Sequence, residues 1–244
     1  MSGAAASPAV PVPDVSAPGR IAGAFFSPGP TFRAIAARPT FLLPLILWTA
    51  CSLLITALIL PRLDVEKMIR QTMEKRGQTV PEDRMQQIVA AQQKIVKVTT
   101  IVFGTLTPTL ISLLVTLIYW ASFKAFGWDF TFRQGLGATT HSFLPAVLGA
   151  LLLIPVILQR QTLDPRGMGE MLQSNLGFLV DKASSPALHS LLLSIDVFSL
   201  WTLVLLTIGF AAAARISRKA SGGVVFAIWA IYVLGKAGVT ALTS

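Results

Sequence analysis

Three ionisable side chains stand inside long apolar runs of this sequence: His141 in GATTHSFLP, Asp196 in LLLSIDVFSL and Lys236 in VLGKAGVT. A charge at the centre of a bilayer costs ~2.5–3.5 kcal/mol on insertion scales, so each is a functional candidate if the runs cross a membrane. Asp196 would lie about five residues from the outer end of a fourth helix, and Lys236 about seven from the outer end of a fifth. At about 1.5 Å per residue both reach a depth of roughly 8–10 Å. The spacing therefore predicts an Asp196–Lys236 ion pair between antiparallel neighbours, with Gly235 and Gly238 letting the backbones approach. Such a pair locks two helices together or couples proton or ion movement, and the structural role is the simpler one. His141 falls near the inner end of the third helix, roughly one to two nanometres from Asp196 in depth. A His–Asp relay is not expected, and His141 reads as a hydrogen-bonded packing residue.

Hydroxyls form two stripes at helical spacing. Thr49, Ser52 and Thr56 share one face of the first run, and Thr105, Thr109, Ser112 and Thr116 share one face of the second. These faces suit close helix packing and bonds to carbonyls one turn back, or the wall of a polar cavity. Pro108, Pro145 and Pro155 predict bends that would help to open one. The sequence contains no GxxxxGK[ST], HExxH or GxSxG motif, and no carboxylate cluster on one helix face. Cys51 is the only cysteine and the histidines number two, which argues against a metal site. No enzyme and no cofactor is expected.

The elements that must carry these residues are set by composition. The chain is 53% hydrophobic and 13% charged, against about 25% charged in soluble domains. Five apolar runs, Phe41–Leu60, Thr100–Phe123, Thr139–Leu158, Leu191–Ala214 and Gly223–Leu242, approach the ~20 residues needed to cross a bilayer. An all-α integral membrane protein with five transmembrane helices follows. The net charge of +9 is spread over membrane-flanking loops, which suits anionic headgroups and not nucleic acid. Placing the N-terminus in the cytoplasm gathers Arg20, Arg33, Arg38, Lys124, Arg133, Arg215, Arg218 and Lys219 on that side, with the C-terminus outside.

Residues 1–22, rich in Ala, Pro and Ser, read as a disordered cytoplasmic tail. Residues 23–40 read as an amphipathic interfacial helix. Ser27 and Pro28 open it, Pro39 closes it, Phe32 and Ile35 dip into the acyl boundary, and Arg33 and Arg38 meet headgroups. Residues 41–244 form the membrane domain. Within it, 61–98 is an extramembrane helical hairpin: an apolar stripe at Leu63, Val65, Met68, Ile69 and Met73, a stop at Gly77, and a Thr79/Glu82 capping box. Its second arm, roughly 17 residues long, projects about 25 Å. The segment 63–97 is the candidate docking element for a protein partner.

The pieces Phe26-Ser27-Pro28 with Phe32, Ile35, Pro39 and Pro44-Leu45, then FRQGLGATTHSFLP, SIDVFSLWTLVLLTIGFA and RISRK, resemble in order and spacing the bacterial members of the Yip (Ypt/Rab-interacting protein) domain family. The resemblance runs from Phe25 to the C-terminus. It implies five membrane helices, a cytoplasmic N-terminus and, for a bacterial member, the inner membrane. Eukaryotic relatives bind prenylated small GTPases. An Asp-Leu-Tyr-Gly-Pro type motif found in those relatives is replaced here by FFSPGPTF, so that activity does not carry over. Two functional classes remain: a membrane scaffold binding lipid and protein partners, with self-association left open, or a small transporter, channel or lipid-translocating protein.

Overall fold

The computed structural model describes residues 16–78, 80–163 and 171–243. The described residues are all-α, with two isolated bridges and no extended strand. Ten helices follow in order: α1 (Ala17–Phe26), α2 (Pro28–Ala37), α3 (Leu42–Ile59), α4 (Val65–Lys75), α5 (Glu82–Ala125), α6 (Phe132–Ser142), α7 (Leu144–Leu158), α8 (Pro186–Leu192), α9 (Val197–Ala214) and α10 (Arg218–Thr243).

Among the described residues five segments are long and apolar enough to cross a membrane: Leu42–Arg62, Glu82–Ala125, Phe132–Leu158, Val197–Ala214 and Arg218–Thr243. The third starts well before the apolar run that announced it. Thr131 caps α6 through a capping box with Gln134, so the polar-looking FRQG is already helix. Pro145 does not bend a continuous helix. It sits in the first turn of α7, where a missing N–H costs nothing, and the break falls at Phe143. The fourth span is shorter than its run, because Leu191 and Leu192 close the separate helix α8.

Helix α5 is the longest element, with 44 residues, and is about 66 Å long. It crosses the span and continues as one arm of the hairpin, and α4 packs back against it. Asp64 caps α4 by accepting from the Lys67 amide. Arg70 joins the arms by bonding Glu66 within α4 and Glu82 at the start of α5. Those two carboxylate bonds push the Arg70 pKa above its ordinary value. Thr79, the expected cap of α5, lies outside the described residues.

The main core gathers at the end of the bundle where α3, α6 and α10 begin. Tyr119 and Phe123 of α5, Leu203, Leu206 and Phe210 of α9, Val224 and Val225 of α10, and Phe130 form one buried cluster. The outward faces remain apolar, as at Leu110, Leu114 and Leu117 of α5, which is the surface lipid covers.

Candidate functional site

The amino-terminal helices dock on the bundle against α6 and α9. Ser16 caps α1 by accepting from the Gly19 amide, and Pro18 fits the first turn. Residues 16–22 are therefore ordered, and the expected tail is corrected there; residues 1–15 lie outside the described residues. Helix α2 follows after the single residue Ser27. Gly23 faces Thr31 so closely that a Cβ there would overlap the hydroxyl, which lets the two short helices pack.

Phe32 and Ile35 do not reach lipid. Each is 1% exposed, packed with Ala138 of α6 and Leu205 of α9, with Trp201, Ile208 and Ala212 around them. Two glycines shape the seat. A Cβ on Gly209 would stand 3.0 Å from both the Phe32 ring and Ala138, and one on Gly137 would stand 3.0 Å from Ile35. Gln134 Nε2 donates to the Ala36 carbonyl at 2.8 Å and fixes the far end of α2. The interfacial reading of 23–40 is thus corrected: the apolar face is covered by protein, and only Arg33 and Arg38 of the expected lipid contacts remain exposed. Periodicity reveals an apolar face but not what covers it.

Arg20, 5% exposed, reaches inward from α1. Its Nη1 donates to the Arg38 carbonyl at 2.6 Å and to Thr40 Oγ1 at 2.9 Å, tying α1 to the chain that leaves α2. A charge in a disordered cytoplasmic tail was the expectation. The Ser16–Pro18 start signal ahead of RIAGAFF was the clue that this arginine belongs to a helix.

Beneath these helices, Thr139, Thr140, His141 and Ser142 of α6 are all at most 2% exposed. Thr140 and Ser142 donate to carbonyls one turn back, at 2.9 and 2.8 Å. His141 Nδ1 lies 2.9 Å from the Gly137 carbonyl, an acceptor only, so Nδ1 carries the proton. Among the described residues no carboxylate bonds the imidazole, and its Nδ1 donor is satisfied by the Gly137 carbonyl.

The hydroxyl stripes join helices. Ser52 donates to the Gly104 carbonyl at 2.7 Å, and Thr56 lies against Gly104, so α3 and α5 cross at bare backbone. Thr49 is half-buried on the same side. On α5 the stripe divides. Thr116 Oγ1 donates to the Ser112 carbonyl at 2.6 Å and meets Thr139 Oγ1 at 3.0 Å, deep in the bundle. Thr109 is half-buried, whereas Thr105 is exposed and bonds Ile101 on its own helix. The buried hydroxyls of Ser112, Thr202 and Thr207 have no partner among the described residues.

At the opposite end the expected ion pair is replaced by two separate arrangements. Asp196 precedes α9 as its N-cap and accepts from the amides of Phe198 and Ser199 at 2.9 and 3.1 Å. Lys236 Nζ donates to Ser194 Oγ instead. The depth argument failed because Asp196 is not inside the span: its carboxylate is occupied by the first amides of the helix it starts. Thr240 donates to the Lys236 carbonyl at 3.0 Å and lies 3.3 Å from Ser190 Oγ, so α8 and α10 are joined by hydroxyls.

Two surface clefts lie at this same end, one of about 340 Å³ between residues 60–65 and 93–97, the other between Pro61–Arg62 and 158–161. Among the described residues no group of three His, Cys, Asp or Glu side chains could hold a metal ion. Cys51 is buried, with its thiol toward the Val147 carbonyl.

A family model described as Yip1 domain matches residues 22–238, from within α1 to nearly the end of α10. No curated protein and no solved structure matches the chain.

Proposed function

The chain belongs to the Yip1 domain family, and from that premise we propose that it acts as a non-enzymatic membrane scaffold or adaptor, holding lipid at one end of its bundle and protein partners at the other. The observation that carries this reading is α5. A single helix of 44 residues leads from the span into a braced arm, and a bilayer core of about 30 Å uses less than half of it. Ile95 and Val98 on that arm are more than half exposed, beside the cleft between residues 60–65 and α5. A rigid projecting arm with apolar side chains on its surface suits protein docking. The basic residues Arg33, Arg38, Lys124, Arg133, Arg215, Arg218 and Lys219 gather at the opposite end, which we orient toward the cytoplasm of a bacterial inner membrane.

The second reading, a transporter, channel or lipid-translocating protein, draws on the unpartnered hydroxyls of Ser112, Thr202 and Thr207. One experiment separates the two. Photo-crosslinking side chains are placed at Ile95, Val98 and, as a lipid-facing control, Leu114 of the full-length chain in its native membrane, while purified protein is assayed in liposomes for ion flux and lipid scrambling. Scaffolding predicts discrete protein adducts from 95 and 98, lipid adducts from 114, and no activity in liposomes. Flux or scrambling abolished by Ser112→Leu, with no protein adducts on the arm, would reverse the choice.

A further inference from the structure

Gly29, in the first turn of α2, marks a place where two arginines from distant parts of the chain meet. A Cβ built on it would lie 2.9 Å from Nη2 of Arg218 and 3.9 Å from Nη1 of Arg33, so by the triangle inequality the two guanidinium nitrogens are under 7 Å apart. Like charges at that distance repel, and two cations elsewhere in this protein are each paired with carboxylates. Arg70 has Glu66 and Glu82, and Lys124 has Asp129. Among the described residues neither Arg33 nor Arg218 has an ion pair or a side-chain hydrogen bond. The missing side chain at Gly29 leaves room for the Arg218 head to lie on the helix, and the positive end of α2 adds to the same field.

We propose that Arg33 and Arg218 form a phosphate clamp that holds the headgroup of an anionic phospholipid against Gly29. This rests on the lipid-binding half of the scaffold reading and gives it a site. Guanidinium forks match phosphate oxygens in pairs, and one phosphodiester between the two relieves their mutual repulsion. The lipid source is set by the surroundings. Arg218 is the first residue of the last span, so the clamp sits where hydrocarbon gives way to headgroups. Phe26, three residues before Gly29, is 87% exposed, an apolar ring placed for the acyl and glycerol region of the same molecule. The pairing also differs from the one the sequence suggested: Arg33 acts with Arg218 of the RISRK turn and not with Arg38.

The test uses the full chain in a mild detergent. Native mass spectrometry measures retention of phosphatidylglycerol, phosphatidylcholine and inorganic phosphate by the parent protein and by Arg33→Gln, Arg218→Gln, the double variant, and Arg215→Gln and Lys219→Gln as neighbours outside the clamp. The clamp predicts one tightly retained phosphatidylglycerol per chain, little retention of phosphatidylcholine or free phosphate, and about tenfold weaker retention in either clamp variant. The double variant loses little beyond that, since two halves of one site act as a unit. Arg215→Gln and Lys219→Gln change retention less than about twofold. Gly29→Ala keeps every charge but displaces the Arg218 head, and weakens retention with unchanged melting. Equal losses in all four single variants would overturn the clamp in favour of diffuse attraction while leaving the scaffold reading intact. Tight binding of free phosphate in preference to lipid would overturn the lipid assignment. A parent protein that retains no anionic lipid would overturn the lipid half of the scaffold reading itself.

Discussion

The two ends of this molecule use arginine in opposite ways. On the projecting hairpin, Arg70 is 43% exposed and sits between two exposed carboxylates, in water that screens all three. At the other end, Arg20 is 5% exposed and bonded to a carbonyl and a hydroxyl inside the bundle. The first arrangement braces an arm that needs only to keep its shape. The second holds two short helices into a seat formed by glycines on α6 and α9, where small displacements create clashes. The hairpin therefore tolerates change, and the docked helices do not.

The largest effect should come from the seat. Phe32→Ala removes a fully buried ring and should destabilise the protein by about 3 kcal/mol or more, read as a large fall in melting temperature in detergent. A near-neutral result would mean that α2 faces lipid after all. Next is the crossing of α3 and α5. Gly104→Ala should cost ~1–3 kcal/mol because its methyl group meets the Thr56 hydroxyl, and Thr56→Ala in the same chain should restore much of the loss. Purely additive losses would break that contact assignment.

At the start of α9, Asp196→Ala should cost about 1 kcal/mol and Asp196→Asn almost nothing, because asparagine caps as well as aspartate. Asp196→Ala and Lys236→Ala should add within about 0.5 kcal/mol. Strong coupling between them would reinstate an ion pair. The smallest effect belongs to the arm. Arg70→Ala should cost under about 1 kcal/mol, shrinking further in high salt, because both partners are exposed. A loss as large as that of Phe32→Ala would erase the contrast between the two ends.

Much of the fold was legible because a bilayer imposes a length. Apolar runs near 20 residues marked five spans. The second arm of the hairpin reads as a helix of roughly 17 residues, whose continuity with the second span the structure adds. Boundaries were harder wherever a polar segment was already helical, as at FRQG before the third span. Candidate side chains were harder still. Asp196 looked buried because hydrophobicity surrounds it, yet a capping residue borders an apolar run without entering it. Phe32 and Ile35 showed the right periodicity for an interfacial helix, but the glycines that let α6 and α9 receive them lie over a hundred residues away in sequence. Arg20 sits in Ala- and Pro-rich composition that resembles a tail, and only its local start signal marked the helix. The hydroxyl stripes at Ser52, Thr56, Ser112 and Thr116 were legible as faces, and their use at helix contacts follows from Gly104 and Thr139 opposite them.

The claim that the amino-terminal helices belong to the packed bundle is tested most directly by side-chain accessibility. With Cys51 replaced by alanine, single cysteines at Phe26 and Ile35 are labelled in native membranes with a membrane-permeant maleimide. Phe26 is 87% exposed and Ile35 1% exposed, so the account predicts rapid labelling at position 26 and labelling at position 35 only after the protein is denatured. Equal rates at the two positions under native conditions would contradict it.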